Sequence, residues 1–69
     1  MADAYRMTGA VPLPNGVAEV GWQGADVVLL LHGMRRVDLG PDVRTEFMKL
    51  FMEAEGRAEA FVAEHGGGS

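Results

Sequence analysis

Apolar and polar positions follow two different periods along this chain, and the change comes near residue 40. Residues 17–23 and 26–32 are apolar-rich runs separated by Gly24-Ala25, and the second run leads into Gly33-Met34. Glycine at these points is what a tight hairpin with positive φ requires, so both runs read as strands, with residues 35–39 as a short third strand. In residues 26–32, Val28 and Leu30 point to one face, and Val27, Leu29 and Leu31 to the other. A strand apolar on both faces belongs in the middle of a sheet that is covered twice.

After residue 40 the spacing becomes helical. Val43, Phe47, Leu50, Phe51, Ala54, Ala58, Phe61 and Val62 fall within an arc of about 120° at 100° per residue, the width of a core-facing stripe. Leu39-Gly40-Pro41-Asp42 places Gly at the N-cap, Pro at the first helical position and an acid in the first turn. Glu53 and Arg57 form an i,i+4 pair of the favourable order, and Gly56 costs about 1 kcal/mol relative to Ala. The predicted fold is α+β, a two- or three-stranded antiparallel sheet followed by one long C-terminal amphipathic helix over residues 41–64.

Length adds a constraint. Such a helix is about 36 Å long at 1.5 Å per residue, whereas strands of six or seven residues span about 20–23 Å. The sheet of one chain is then too short for the whole stripe, and Phe61 and Val62 are left in water unless the N-terminal segment or a second chain covers them. Together with the two-faced strand, this predicts self-association.

Outside residues 17–64 the pattern weakens. Residues 1–16 contain Pro12 and Pro14, which lack backbone donors, and the turn dipeptide Asn15-Gly16. They read as an N-terminal arm with a short extended piece at residues 5–7. Residues 65–69, His65 followed by Gly-Gly-Gly-Ser, have the composition of a flexible tail.

Composition narrows the function. The 69 residues hold one domain at most and bury only about 60% of the surface of the unfolded chain, so a stabilising staple is expected. There is no Cys, hence no disulfide, and His32 and His65 stand 33 residues apart, which argues against a zinc site. No cofactor is expected, and oligomerisation is the staple that remains. The net charge is −4, with three basic and four acidic residues in 1–39 and three basic and six acidic in 40–69. Such a surface repels phosphate backbones overall. The longest apolar run, residues 27–31, is far below the ~20 residues of a membrane span. The first six residues lack a secretory apolar core, and a cytoplasmic location follows as the expectation. Eight Val with no Ile, and five Arg with one Lys, point to a GC-rich genome, which is a codon argument rather than a physical one.

Gly33, Arg36, Val37, Leu39 and Pro41 resemble a "G-x-R-V-x-L-[TS]-P" segment that joins a hairpin to an Ala- and Glu-rich helix. That pattern is similar to small uncharacterised proteins of actinobacteria and their phages. Here Gly40 stands where Thr or Ser is usual, which weakens the cap by a few tenths of a kcal/mol. The resemblance spans about residues 17–64; it implies the hairpin-then-helix fold and no particular activity.

Each candidate site has a plainer alternative. Val27-Val28-Leu29-Leu30-Leu31-His32-Gly33 resembles the strand and His-Gly that open the oxyanion loop of α/β-hydrolases. The chain is too short for that fold, has no Gly-x-Ser-x-Gly, and carries its one Ser at position 69. A buried strand ending in a turn glycine is favoured, and no acyl nucleophile is available. His32 has the titration range of a general base, with Asp26 or Asp38 as the only evident orienting acids, and a structural role is favoured. The five Glu of the helix form a solvated face. Arg35 and Arg36, the one adjacent basic pair, fit either phosphate contacts or a solvated strand edge. Met48 and Met52, at i,i+4, fit a docking patch or the flank of the core. Trp22 fits an interface anchor or a core residue. The expected function is a non-catalytic protein–protein interaction module. It pairs with itself, as a dimer or higher oligomer, or with a larger protein, through Trp22, Met48, Phe51, Met52, Phe61 and Val62. The alternative is a small DNA-binding regulator using Arg35 and Arg36.

Overall fold

Two turns of two residues each fold the first half of the chain into an antiparallel meander. The computed structural model describes residues 4–65; residues 1–3 and most of the Gly-rich tail, 66–69, lie outside the described residues. Strands β1 (Arg6–Leu13), β2 (Gly16–Gln23) and β3 (Asp26–His32) form one sheet in the order β1-β2-β3, followed by helix α1 (Pro41–His65). This is the expected α+β fold. Gly24, at φ 59°, followed by Ala25 at negative φ, has the pattern of a type II′ turn and sets Gln23 opposite Asp26. Pro14 and Asn15 both keep negative φ in the first turn, which sets Leu13 opposite Gly16.

Three expectations need correction. The segment read as an arm is an eight-residue strand, β1, so the sheet centres on β2 and leaves β3 at an edge. Pro12 did not exclude a strand because β1 is itself an edge, where a missing donor breaks no inner ladder, and Pro14 lies in the turn that follows. Residues 35–39 form no strand. Gly33, at φ 80°, turns the chain off the sheet, and Val37 drops onto the core as the segment descends to the helix. Finally, the helix does not outrun its cover at Phe61. Trp22, at the end of β2, packs against it with ring centroids 5.7 Å apart, although Val62 stays 38% exposed.

The core lies between the sheet and α1. Val11, Ala18 and Val20 from the sheet meet Phe47, Ala54 and Ala58 of the helix, and Val20 is fully buried. Ala54 and Ala58 have no bulk beyond Cβ, which lets the helix settle on β2. Gly9 serves the same end on β1: a Cβ there would come within 2.6 Å of the Leu50 side chain. At the helix start, the Arg44 N–H donates to the Gly40 carbonyl at 2.8 Å, in keeping with Gly40 as cap. At its end, the His65 Nδ1–H donates to the Phe61 carbonyl at 3.0 Å while the two rings stack at 4.3 Å. That ring adds a side-chain donor to a carbonyl in the last turn of the helix.

Candidate interaction surface

The register places every side chain of the sheet. Ala18, Val20 and Trp22 face the helix, and their partners on β3 are Leu31, Leu29 and Val27. The helix lies chiefly over β2, so the outer side of β3 is left open. Val27 is 40% and Leu29 45% exposed although both are on the helix side of the sheet. Between β3 and the helix runs an apolar groove of about 260 Å³, walled by Leu29, Leu31, Val37, Leu39, Phe47 and Phe51. Arg35 and Arg36 stand at its rim. Among the described residues, no backbone hydrogen bond ties the 33–40 segment to the outer edge of β3.

The six predicted contact residues divide into two groups. Phe51 lines the groove, and Met48, Met52 and Val62 are exposed at 62%, 72% and 38%. At 100° per residue, Met48 and Val62 project from the Phe51 side of the helix, and Met52 lies just beyond them. Leu50, against Gly9 of β1, marks the opposite side. Trp22 and Phe61 do not join this surface. They pack on one another at the far end of the sheet and, with Arg6, Arg57 and His65, line a separate cleft.

Arg35 and Arg36 are both exposed. The Arg36 guanidinium donates to both carboxylate oxygens of Asp38, at 3.0 and 3.4 Å, and that hydrogen bond, then the charge of Asp38, pushes its pKa upward. One of the two candidate phosphate contacts is therefore already partnered.

The other face of the sheet carries a polar chain that sequence reasoning missed. Glu19 accepts a hydrogen bond from the Tyr5 hydroxyl at 2.7 Å through Oε2, and from His32 Nε2 at 3.1 Å through Oε1. The three residues tie the start of β1, the middle of β2 and the end of β3. Gly21 makes room for the Tyr5 ring, since a Cβ there would collide with the ring and with the Arg6 carbonyl. Partial burial, then the hydrogen bond to Glu19 and its charge, pushes the Tyr5 pKa up from 10.0 to about 12. The orienting acid of His32 is thus Glu19, not Asp26 or Asp38. A two-residue turn at Gly24-Ala25 fixes the register of β2 on β3, and that register sets Glu19 opposite Leu30, diagonal to His32. The signal was in the sequence. The chain has no Cys and its one Ser is Ser69, so this oriented imidazole lacks the usual acyl nucleophiles. Among the described residues no group of three or more His, Asp or Glu is placed to hold a metal ion, and no helix is long and apolar enough to cross a membrane.

No protein-family model matches the chain, and neither a curated protein nor a solved structure matches it.

Proposed function

We propose that this chain is a non-catalytic protein–protein interaction module that associates with itself and serves as an accessory, assembly or regulatory subunit. One observation carries this reading: among the described residues, six of the nine exposed large apolar side chains, Val27, Leu29, Leu39, Met48, Met52 and Val62, lie on the side of the molecule where the apolar groove opens, and the other three, Met7, Val17 and Leu30, lie on the open face of the sheet. Scattered exposed apolar residues need no explanation, but a contiguous group beside an open strand edge marks a contact surface. A cytoplasmic setting belongs to the same reading, supported by the cysteine-free composition.

Light scattering coupled to size exclusion tests it. The expected result is at least a dimer at micromolar concentration, and a well-folded 7.4 kDa monomer there would contradict it. The DNA-binding alternative has less support, because Arg36 is engaged with Asp38 and the helix half carries three of the four excess negative charges. A gel shift lost on raising salt, and lost again with Arg35→Ala and Arg36→Ala, would instead favour DNA.

A further inference from the structure

We infer that the partner is a second copy of this chain and that the two copies join edge to edge through β3, as antiparallel neighbours related by a two-fold axis at Leu29. This rests on the self-association proposed above and specifies its geometry.

β3 has the composition of an inner strand at an outer position. Residues 27–31 are all apolar, carry no charge and no proline, and pair with β2 without a bulge. Such a strand is built to have neighbours on both sides, and a row of unpaired N–H and C=O groups along its edge supplies the template. A backbone edge is complementary to itself under a two-fold rotation, so an identical strand satisfies it without any new surface.

With Leu29 on the axis, Val28 lies opposite Leu30, Val27 opposite Leu31, and Asp26 opposite His32 of the other copy. Every apolar position meets an apolar one, and the acid at the start of the strand meets the imidazole at its end. No like charges are opposed.

An interface of standard size takes about 800 Å² from each partner, about a sixth of the 5034 Å² of this chain. Seven paired residues present a strip only about 23 Å by 10 Å, far short of that. This two-fold, however, puts both helices on the same side of a six-stranded sheet. Because each helix lies over its own β2, their axes are about three strand spacings apart, or 14 Å. That is wider than the 8–10 Å of directly packed helices, and the space fits long side chains from both copies. Val27, Leu29, Met48, Phe51 and Val62 are the residues in position to fill it. The helices run antiparallel, so Arg44, toward one end of the flank, approaches the Glu55 and Glu59 end of the other copy. All three are exposed, and their charges are complementary.

The cysteine-free background makes a direct test simple. Leu29→Cys places two thiols across the axis, within the Cα separation a disulfide accepts, while Ala10→Cys on β1 is the control on the other edge. Under mild oxidation the expected result is a covalent dimer as the main product of Leu29→Cys and of an equal mixture of Val28→Cys with Leu30→Cys. Ala10→Cys should give at least about tenfold less, its thiols lying beyond disulfide reach. Light scattering on the reduced proteins separates the two claims. A dimer that forms no covalent product through any β3 cysteine, or forms it equally through Ala10→Cys, overturns the β3 geometry and leaves self-association standing. A chain monomeric at every attainable concentration overturns both and leaves the edge to a strand from another protein.

Discussion

The two edges of this sheet are built in opposite ways. β1 carries Arg6, a bulge between Met7 and Gly9, and Pro12. Each of these discourages a further strand: charge resists burial, a bulge twists the ladder away, and proline withholds a donor. β3 has none of them from Val27 to Leu31, and its register on β2 is unbroken. One edge is finished and the other is open. In a 69-residue chain without disulfides, an open apolar edge is an expensive feature to keep unless something covers it.

The comparison breaks most directly by moving charge between edges. Leu29→Lys is expected to convert the assembly to monomer, because two ammonium groups would face each other across the axis in the apolar space on the helix side of the sheet, at a cost of several kcal/mol. Ala10→Lys, exposed on β1, should leave the mass unchanged and shift stability by no more than about 0.5 kcal/mol. Light scattering and urea unfolding on the pair give both numbers. Equal loss of mass in the two variants would contradict the contrast between the edges.

A second test removes the protection of β1. Thr8, inside the bulge, has its hydroxyl buried without a hydrogen-bond partner. Thr8→Val is therefore expected to stabilise the fold by about 1 kcal/mol in urea unfolding, since it removes a buried unsatisfied group while keeping the shape. Pro12→Val, which returns a donor to the edge, should shift the light-scattering mass above the dimer, because two open edges permit continued growth where one closes as a pair. If Pro12→Val left the mass at that of the wild type, proline would not be what finishes β1.

Tyr5, Glu19 and His32 connect the two edges across the open face, and Tyr5 reports on that link. It is the only tyrosine, so ultraviolet difference titration reads it alone. The expected midpoint is about 12, and Glu19→Gln should bring it down toward 10.0. The folded pKa lies above the unfolded one, so the folded state favours the protonated phenol. That stabilisation is fully present below pH 10 and is lost as pH rises toward 12. A midpoint near 10.0 in the wild type would mean that Tyr5 does not hold the end of β1 against Glu19.

How much of this was legible in the sequence depended on whether the signal was local. β3 is bounded by Asp26 and His32 as expected, because Gly24-Ala25 and Gly33 mark its ends, and α1 starts at Pro41 and ends within a residue of the expected position. Those boundaries are set by turns, caps and periodicity within a few residues. β1 was not legible. Pro12, Pro14 and Asn15-Gly16 read as an irregular arm, and only its pairing with β2 makes the segment a strand. With β1 in the sheet, β3 stands at the edge rather than in the middle, and the exposed apolar side chains Val27 and Leu29 lie on that edge strand. Of the six residues expected at a contact, Phe51 lines the groove, and Met48, Met52 and Val62 are exposed elsewhere along the helix. Trp22 and Phe61 instead pack on one another at the other end of the sheet, and a lone Trp has no period to show what it will cover.

The smallest effect tests whether the contact lies at the strand edge at all. Gly56 is in the middle of α1, about 180° from Phe47, on the face turned away from the sheet, and a Cβ there would meet nothing within 4 Å. Gly56→Ala should therefore stabilise the helix by about 1 kcal/mol through backbone entropy alone. If the assembly uses β3 and the adjoining flank, the added methyl points into solvent in monomer and dimer alike. Urea unfolding should then show greater stability, while the dissociation constant, read by dilution, stays the same. A raised dissociation constant would place the outer face of the helix in the contact, since a new methyl can hinder only a surface that another chain touches. It would also remove the reason for treating β3 as the unfinished edge, because the second copy would sit on the far side of the molecule.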